Sequence, residues 1–214
     1  MRPVDERVRL KKEGGRYHHG NLKDALVLAA ERSIAKSGNV DLPLRDVAKL
    51  AGVSHAAAYR HFDSKAALLA EVAARGFKAL EERLREAAGR GRALDARLVE
   101  VGVAYVGFAL ESVGAFRVMF EPSLKPLDRF PQLAEASFNA LAVFHGVVQE
   151  AVAAKVLRSD DVSGTVMAVW ALVHGHACLL VDGHLAGPFE LGPDDAAASA
   201  RLVVRRLVDG LRER

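Results

Sequence analysis

The sequence predicts an all-α protein: an N-terminal three-helix bundle with a helix-turn-helix, followed by a larger helical domain. Three observations carry that expectation. The 214-residue chain is half hydrophobic and only 6% aromatic, with Ala, Leu and Val dominant, a composition that favours helix over sheet. Apolar residues recur at helical spacing along most of the chain, and no segment alternates as a half-buried strand does. Two short helical patterns are joined by one turn at Gly52, the arrangement of a helix-turn-helix.

Residues 1–16 are charged and lack an apolar period, so they read as a flexible basic arm. "NLKDALVLAAERSIAKSG", from Asn21, sets Leu22, Ala25, Leu26, Ala29, Ala30, Ser33 and Ile34 on one stripe, with Gly38 as C-cap. "LPLRDVAKLAG" gives a short second helix with Leu44, Val47, Ala48 and Ala51 inward and Gly52 at its end. Ser54 stands as N-cap of a third helix through Phe62. Asp63 or Ser64 then caps a long fourth helix that runs toward Arg90. Helical patterns follow at 93–112, 131–157, 161–185 and 193–213, with a shorter segment, "AFRVMFEP", stopped at Pro122 and a loop over 121–130. The chain divides into the arm, a helix-turn-helix domain over 17–65 and a larger helical domain over 66–214.

Charge is uneven. Residues 1–62 hold 12 basic and 7 acidic side chains, and the remaining residues 18 basic and 20 acidic ones. A basic front end suits a polyanion, although a solvated basic tail has the same composition. The single Cys178 excludes an internal disulfide and fits a reducing compartment. No segment reads as a signal peptide or as a membrane-length apolar run, so a cytoplasmic protein without a membrane partner is expected. Neither a G-x-S-x-G elbow, a Walker phosphate loop nor an H-E-x-x-H zinc motif is present, so no enzyme activity and no cofactor are expected.

The segment "AGVSHAAAYRHFDSK", residues 51–65, is bare of bulk in its middle and polar or aromatic at both ends. Ala56, Ala57 and Ala58 give a helix slim enough to enter a major groove about 12 Å wide. Ser54 lies at a helix N-terminus, where a hydroxyl and free N–H groups suit a phosphate. Tyr59, His61 and Lys65 are placed to donate to phosphates as well, and His55 and Ala56 to meet base edges. Tyr59 and Phe62 are also expected to hold this helix to the bundle. A short, merely packed helix would share the alanines and the cap, but not the preceding helix, basic arm and long following helix.

The stretches "LRDVAKLAGVS", "YRHF" and "SKAALL", with the lead-in "YHHGNLKDALVLAAERSIAKSG", closely resemble the DNA-binding domain of the tetracycline-repressor (TetR) family over residues 17–65. The resemblance implies double-stranded DNA as partner, in the form of a palindromic operator, and a homodimer whose last two helices form a four-helix bundle across a two-fold. It also implies a small-molecule effector, apolar or amphipathic, that releases a repressor. By position it assigns phosphate contacts to Ser54, Tyr59, His61 and Lys65 and base reading to His55, Ala56 and Ala57. Further on, "VWALVHGHACLL" is similar to the Trp-x-x-x-His-Gly signature of one subgroup, carried here by Trp170, His174 and Gly175.

Trp170 and His174, four apart on helix 161–185, share a face. They are expected either to line an effector cavity walled by Phe108, Phe116, Met119, Phe120, Leu141 and Phe144, or to be satisfied within a packed core. His174, His176 and Cys178 do not make a metal site, because 176 points about 200° from 174 and one i,i+4 pair supplies too few ligands. A helical ligand carrier or enzyme without specific DNA recognition is the alternative reading.

Overall fold

The structure is a computed structural model and describes residues 22–90, 93–187, 189–191 and 193–212. The arm 1–16, and His18 and His19 of the lead-in, lie outside the described residues. Among the described residues there are nine α-helices and, apart from one antiparallel bridge between Leu157 and Arg212, no extended pairing. The expected all-α architecture is the one observed.

Helix α1 (Leu22–Ser37) buries Leu22, Leu26, Val27, Ala30 and Ile34 against α2 (Leu44–Leu50), α4 (Lys65–Arg90) and α6 (Val113–Met119). The turn after α2 is closed by two backbone bonds: Gly52 N–H to Lys49 C=O at 3.1 Å and Val53 N–H to Ala48 C=O at 2.9 Å. That pattern needs a left-handed residue between them, and Gly52 supplies it with φ of +70°. Val53 packs against the core beside the fully buried Ala48.

Helix α3 (His55–Tyr59) is shorter than its apolar pattern predicts. Both His61 and Phe62 donate their N–H groups to the Ala58 carbonyl, so the chain closes a turn there and delivers the Phe62 ring, 4% exposed, into the bundle. Of the two candidate caps for α4, Ser64 performs the role: its Oγ accepts the Ala67 N–H at 3.1 Å.

Helix α4 has 26 residues and spans about 39 Å at 1.5 Å per residue. Its first half is clamped to α1 by Lys23–Glu71 at 2.7 Å and Arg75–Asp24 at 2.7 Å, with Arg75 also on Glu71 at 2.8 Å. Its second half buries Phe77, Leu80, Leu84 and Ala87 in the larger domain. One helix therefore belongs to both halves of the molecule.

The larger domain comprises α5 (Leu94–Glu111), α6, α7 (Pro131–Ala153), α8 (Val162–Val181) and α9 (Ala196–Leu211). The chain bends by 107° between α5 and α6, which turns α6 toward α1. The expected loop before α7 contains two short 3-10 turns, Pro122–Leu124 and Leu127–Arg129. Helix α7 ends four residues before its pattern does: Lys155 adopts φ of +56°, and Val156 and Leu157 fold back onto the Ala151 carbonyl. Ion pairs Arg201–Glu100 and Arg212–Asp95 join α9 to α5.

The expectation that no segment is membrane-length is corrected by α8. It carries no Asp, Glu, Lys or Arg and is long and apolar enough to cross a membrane by length and composition. Its Ser, Thr and two His break the apolar run without adding charge. The helix packs against α5, α7 and α9, with Val166, Val169, Val173 and Ala177 buried.

Candidate nucleic-acid interface and ligand cavity

Ser54 caps α3 by accepting the Ala57 N–H at 3.2 Å, which leaves the neighbouring N–H groups at the helix start facing outward. Ser54, His55, Ala56, Tyr59 and His61 are all exposed. The His55 and Tyr59 rings, one turn apart, meet edge to face at 4.6 Å. The three alanines do not share one exposed surface: Ala58 is fully buried and Ala57 only 8% exposed. Ala56 alone lies outside, because a helix turning 100° per residue carries the next two methyls into the bundle. Tyr59 is 46% exposed and does not hold α3 to the core as expected; Phe62 does so, with the Lys23 ammonium 5.8 Å from its ring centre.

Lys65 Nζ sits 2.5 Å from Asp41 Oδ1. That hydrogen bond, and the charge behind it, holds the Asp41 carboxyl below its ordinary pKa. Arg45, Lys49 and Arg60 are exposed around the same surface and were missed in reading the sequence. Arg45 and Lys49 are four apart on α2, a spacing that puts them on one face.

The second feature is a cavity of about 370 Å³ between α4, α5, α7, α8 and the 119–127 segment, within the usual range for small-molecule sites. Leu80, Leu84, Tyr105 and Phe144 form its buried floor, and Lys125, Ser137, Phe138 and Leu141 stand at its mouth. Of the residues expected to line it, Met119, Phe120, Leu141, Phe144 and Trp170 do so. Phe108, Phe116 and His174 do not. Phe108 faces a separate recess between α1, α4, α5 and α6, beside Glu31 and Arg75. Burial pushes the Glu31 carboxyl up, partly offset by the Arg75 charge.

Phe116 and His174 lie behind the cavity wall. The His174 ring stacks on Trp170 at 5.7 Å and lies 4.3 Å from Phe120. Its Nδ1 is 2.9 Å from the Tyr105 hydroxyl and its Nε2 3.6 Å from Cys178 Sγ. Burial lowers the His174 pKa and raises those of Tyr105 and Cys178, the last helped by the Asp182 charge. A neutral imidazole between a protonated hydroxyl and a protonated thiol follows, with one ring nitrogen donating and the other accepting. His174 thus orients the Tyr105 ring that the cavity exposes. His176 turns to the other side, 3.0 Å from Ser199 Oγ on α9, and its pKa too is lowered by burial. No group of three or more His, Cys, Asp or Glu side chains among the described residues is placed to hold a metal ion.

Two family descriptions match the chain: "Bacterial regulatory proteins, tetR family" over residues 26–72 and "Tetracyclin repressor-like, C-terminal domain" over residues 98–207. No curated protein matches it. Among solved structures, a protein of unknown function from Rhodococcus sp. RHA1 is 33% identical with a TM-score of 0.75, covering 92% of this chain and 98% of its own. A tetR-family bacterial regulatory protein from Rhodococcus RHA1 is 21% identical with a TM-score of 0.71, the match covering 87% of this chain and 96% of the other. The TetR-family transcriptional regulator PfmR from Thermus thermophilus is 23% identical with a TM-score of 0.68, over 89% and 97%. The last two show the same fold.

Proposed function

The chain belongs to the tetR family of bacterial regulatory proteins, and we propose that it is a dimeric repressor that reads a palindromic operator with paired α3 helices and leaves it when a ligand fills the cavity. It is a DNA-binding transcriptional regulator and not an enzyme. In this reading Ser54, Tyr59, His61 and Lys65 hold phosphates, Lys65 by exchanging Asp41 for the DNA backbone. His55 and Ala56 read bases, and the burial of Ala57 argues for removing it from that set. Arg45, Lys49 and Arg60 add to the basic rim. The domain limits follow the same division: a DNA-binding unit over 17–65, preceded by the arm 1–16, and an effector and dimerisation unit over 66–214, acting in the cytoplasm. Trp170, His174 and Gly175 on α8 support the Trp-His-Gly subgroup for the second unit.

The observation that carries the proposal is α4. It begins at Lys65, directly after the reading helix, and its Phe77, Leu80 and Leu84 line the cavity. A ligand that moves those side chains moves the helix on which α3 is mounted. In a two-fold dimer the α3 helices must stand about 34–36 Å apart, or near a multiple, to enter successive major grooves, so a small swing of α4 changes fit to DNA.

The test is footprinting on the DNA flanking the gene, followed by calorimetry of ligands with and without the protected site. We expect a protected palindrome. Ligand and operator should weaken each other by one common factor, as linkage requires. Equal ligand affinities in both titrations would overturn the allosteric reading, and absence of any sequence-specific protection would overturn the operator reading.

A further inference from the structure

We infer that the cavity ligand is an anionic amphiphile, a hydrocarbon body with one carboxylate-type head, and that Lys125 is the residue that selects the head. This inference rests on the reading of the cavity as an effector site. Apart from Lys125, the cavity lining offers a ligand almost nothing polar. The Tyr105 hydroxyl is held by His174 at 2.9 Å, and Ser137 Oγ donates to the Ala134 carbonyl at 2.9 Å. The walls are otherwise aliphatic and aromatic, so the part of the ligand that enters must be hydrocarbon.

The mouth differs. Among the described residues, Lys125 is the one charged residue lining the cavity, and no Asp or Glu lines it. Its ammonium has no ion-pair or hydrogen-bond partner among the described residues. Beside it Phe138 is 72% exposed and Leu141 41% exposed, both on the rim. An apolar chamber with this cation at its entrance is complementary to a molecule with an apolar end and an anionic end. The anion keeps part of its hydration at the exposed mouth and gains a charge-assisted hydrogen bond from Lys125. A cationic head there meets like charge, with no acidic group among the lining residues to offset it.

Trp170 is the only tryptophan in the chain and lines the cavity, so its fluorescence reads occupancy directly. The probes are dodecanoate, dodecanol and dodecylammonium, each below its aggregation limit, titrated into the full-length protein. The expected order of affinity is dodecanoate, then dodecanol, then dodecylammonium. In Lys125→Met, dodecanoate should lose about tenfold, the size of a hydrogen bond to a charged group, while dodecanol is unchanged. Lys125→Glu, at an exposed position outside the core, should reverse the preference in favour of dodecylammonium. Binding of all three probes with equal affinity, or unchanged preference in both variants, overturns the role of Lys125 and leaves the cavity reading intact. No response of Trp170 to any probe overturns both.

Discussion

Gly114 on α6 lies so close to the main chain of Glu31 on α1 that a Cβ at position 114 would overlap the Glu31 carbonyl oxygen and press on the Ala35 nitrogen. The other end of α6 is Met119, followed by Phe120, and both line the cavity. A seven-residue helix therefore touches α1 of the DNA-binding half at one end and the cavity at the other. An alkyl group at 114 meets backbone, which cannot rotate aside, so α6 and α1 must separate. Gly114→Ala should destabilise the protein by about 1–3 kcal/mol, the usual range for overpacking, and weaken operator binding with helix content unchanged. Thermal melts and operator titrations identical to wild type would show that the contact transmits nothing.

The reading helix gives a prediction about kinds of contact. Tyr59→Phe and His61→Ala should weaken binding to every DNA sequence to a similar degree, since phosphates carry no base identity. His55→Ala should shift preference at one or two positions by about 1–3 kcal/mol. Ala57→Ser, at a methyl turned into the bundle, should lower the melting temperature without changing the preferred sequence. A selection experiment in which His55→Ala returns the wild-type consensus, or Ala57→Ser a new one, would reverse these two assignments.

The starts of α3 and α4 were legible because capping residues announce them. Ser54 accepts the Ala57 N–H at the expected place, and Ser64, one of the two residues expected to cap α4, accepts the Ala67 N–H. Ends were less so. Phe62 and Leu157 continue the apolar stripe of the helix before them, yet each reaches the core through a turn, and Lys155 gives no signal for positive φ. For the cavity, the large apolar residues around 119–144 and Trp170 could be named. Phe77, Leu80, Leu84 and Tyr105 were missed because a buried stripe on α4 or α5 looks the same whether it faces a neighbour or a void. His174 was assigned to the wall because sharing a face with Trp170 fixes direction, not depth.

The buried His174 sets a pH dependence. Its folded pKa is below the ordinary value through burial, so the unfolded chain takes up a proton first as pH falls. Stability from this group is complete above about pH 6.5, the ordinary histidine value, and is lost as pH drops through the lower folded pKa. Protonation also makes both ring nitrogens donors, so neither can accept from the Tyr105 hydroxyl or the Cys178 thiol, and places a cation against Trp170. The melting temperature should fall with acidification below about pH 6.5, and Trp170 fluorescence in the folded protein should titrate at a midpoint below that value. The fluorescence step should vanish in His174→Gln but persist in His176→Gln, whose imidazole faces Ser199. A midpoint at or above the ordinary histidine pKa would contradict the buried, neutral assignment.

The dimer reading makes its prediction at a residue the isolated chain does not need. Ala168, Ala171, Gly175 and Leu179 fall at helical spacing along the outer side of α8, with Leu179 43% exposed. On the neighbouring α9, Leu202 is 59% exposed, whereas Ala200, Val204 and Val208 are buried against the chain's own core. An open face of small and apolar residues on α8, with Leu202 exposed among charged residues on the adjoining α9, suits a four-helix seam across a two-fold, and small residues let the partner's backbone approach closely. A Cβ built at Gly175 has nothing within 4 Å, so the protomer accommodates a side chain there, and a helix-interior Gly replaced by a better helix former gains about 0.8–1 kcal/mol. Gly175→Arg should therefore leave each protomer folded and at least as helical while separating the dimer. Sedimentation should show a monomer. Operator binding should fall steeply, because one α3 helix loses the effective concentration supplied by its twin. A variant that sediments as a dimer and binds operator like wild type would move the interface off this face of α8.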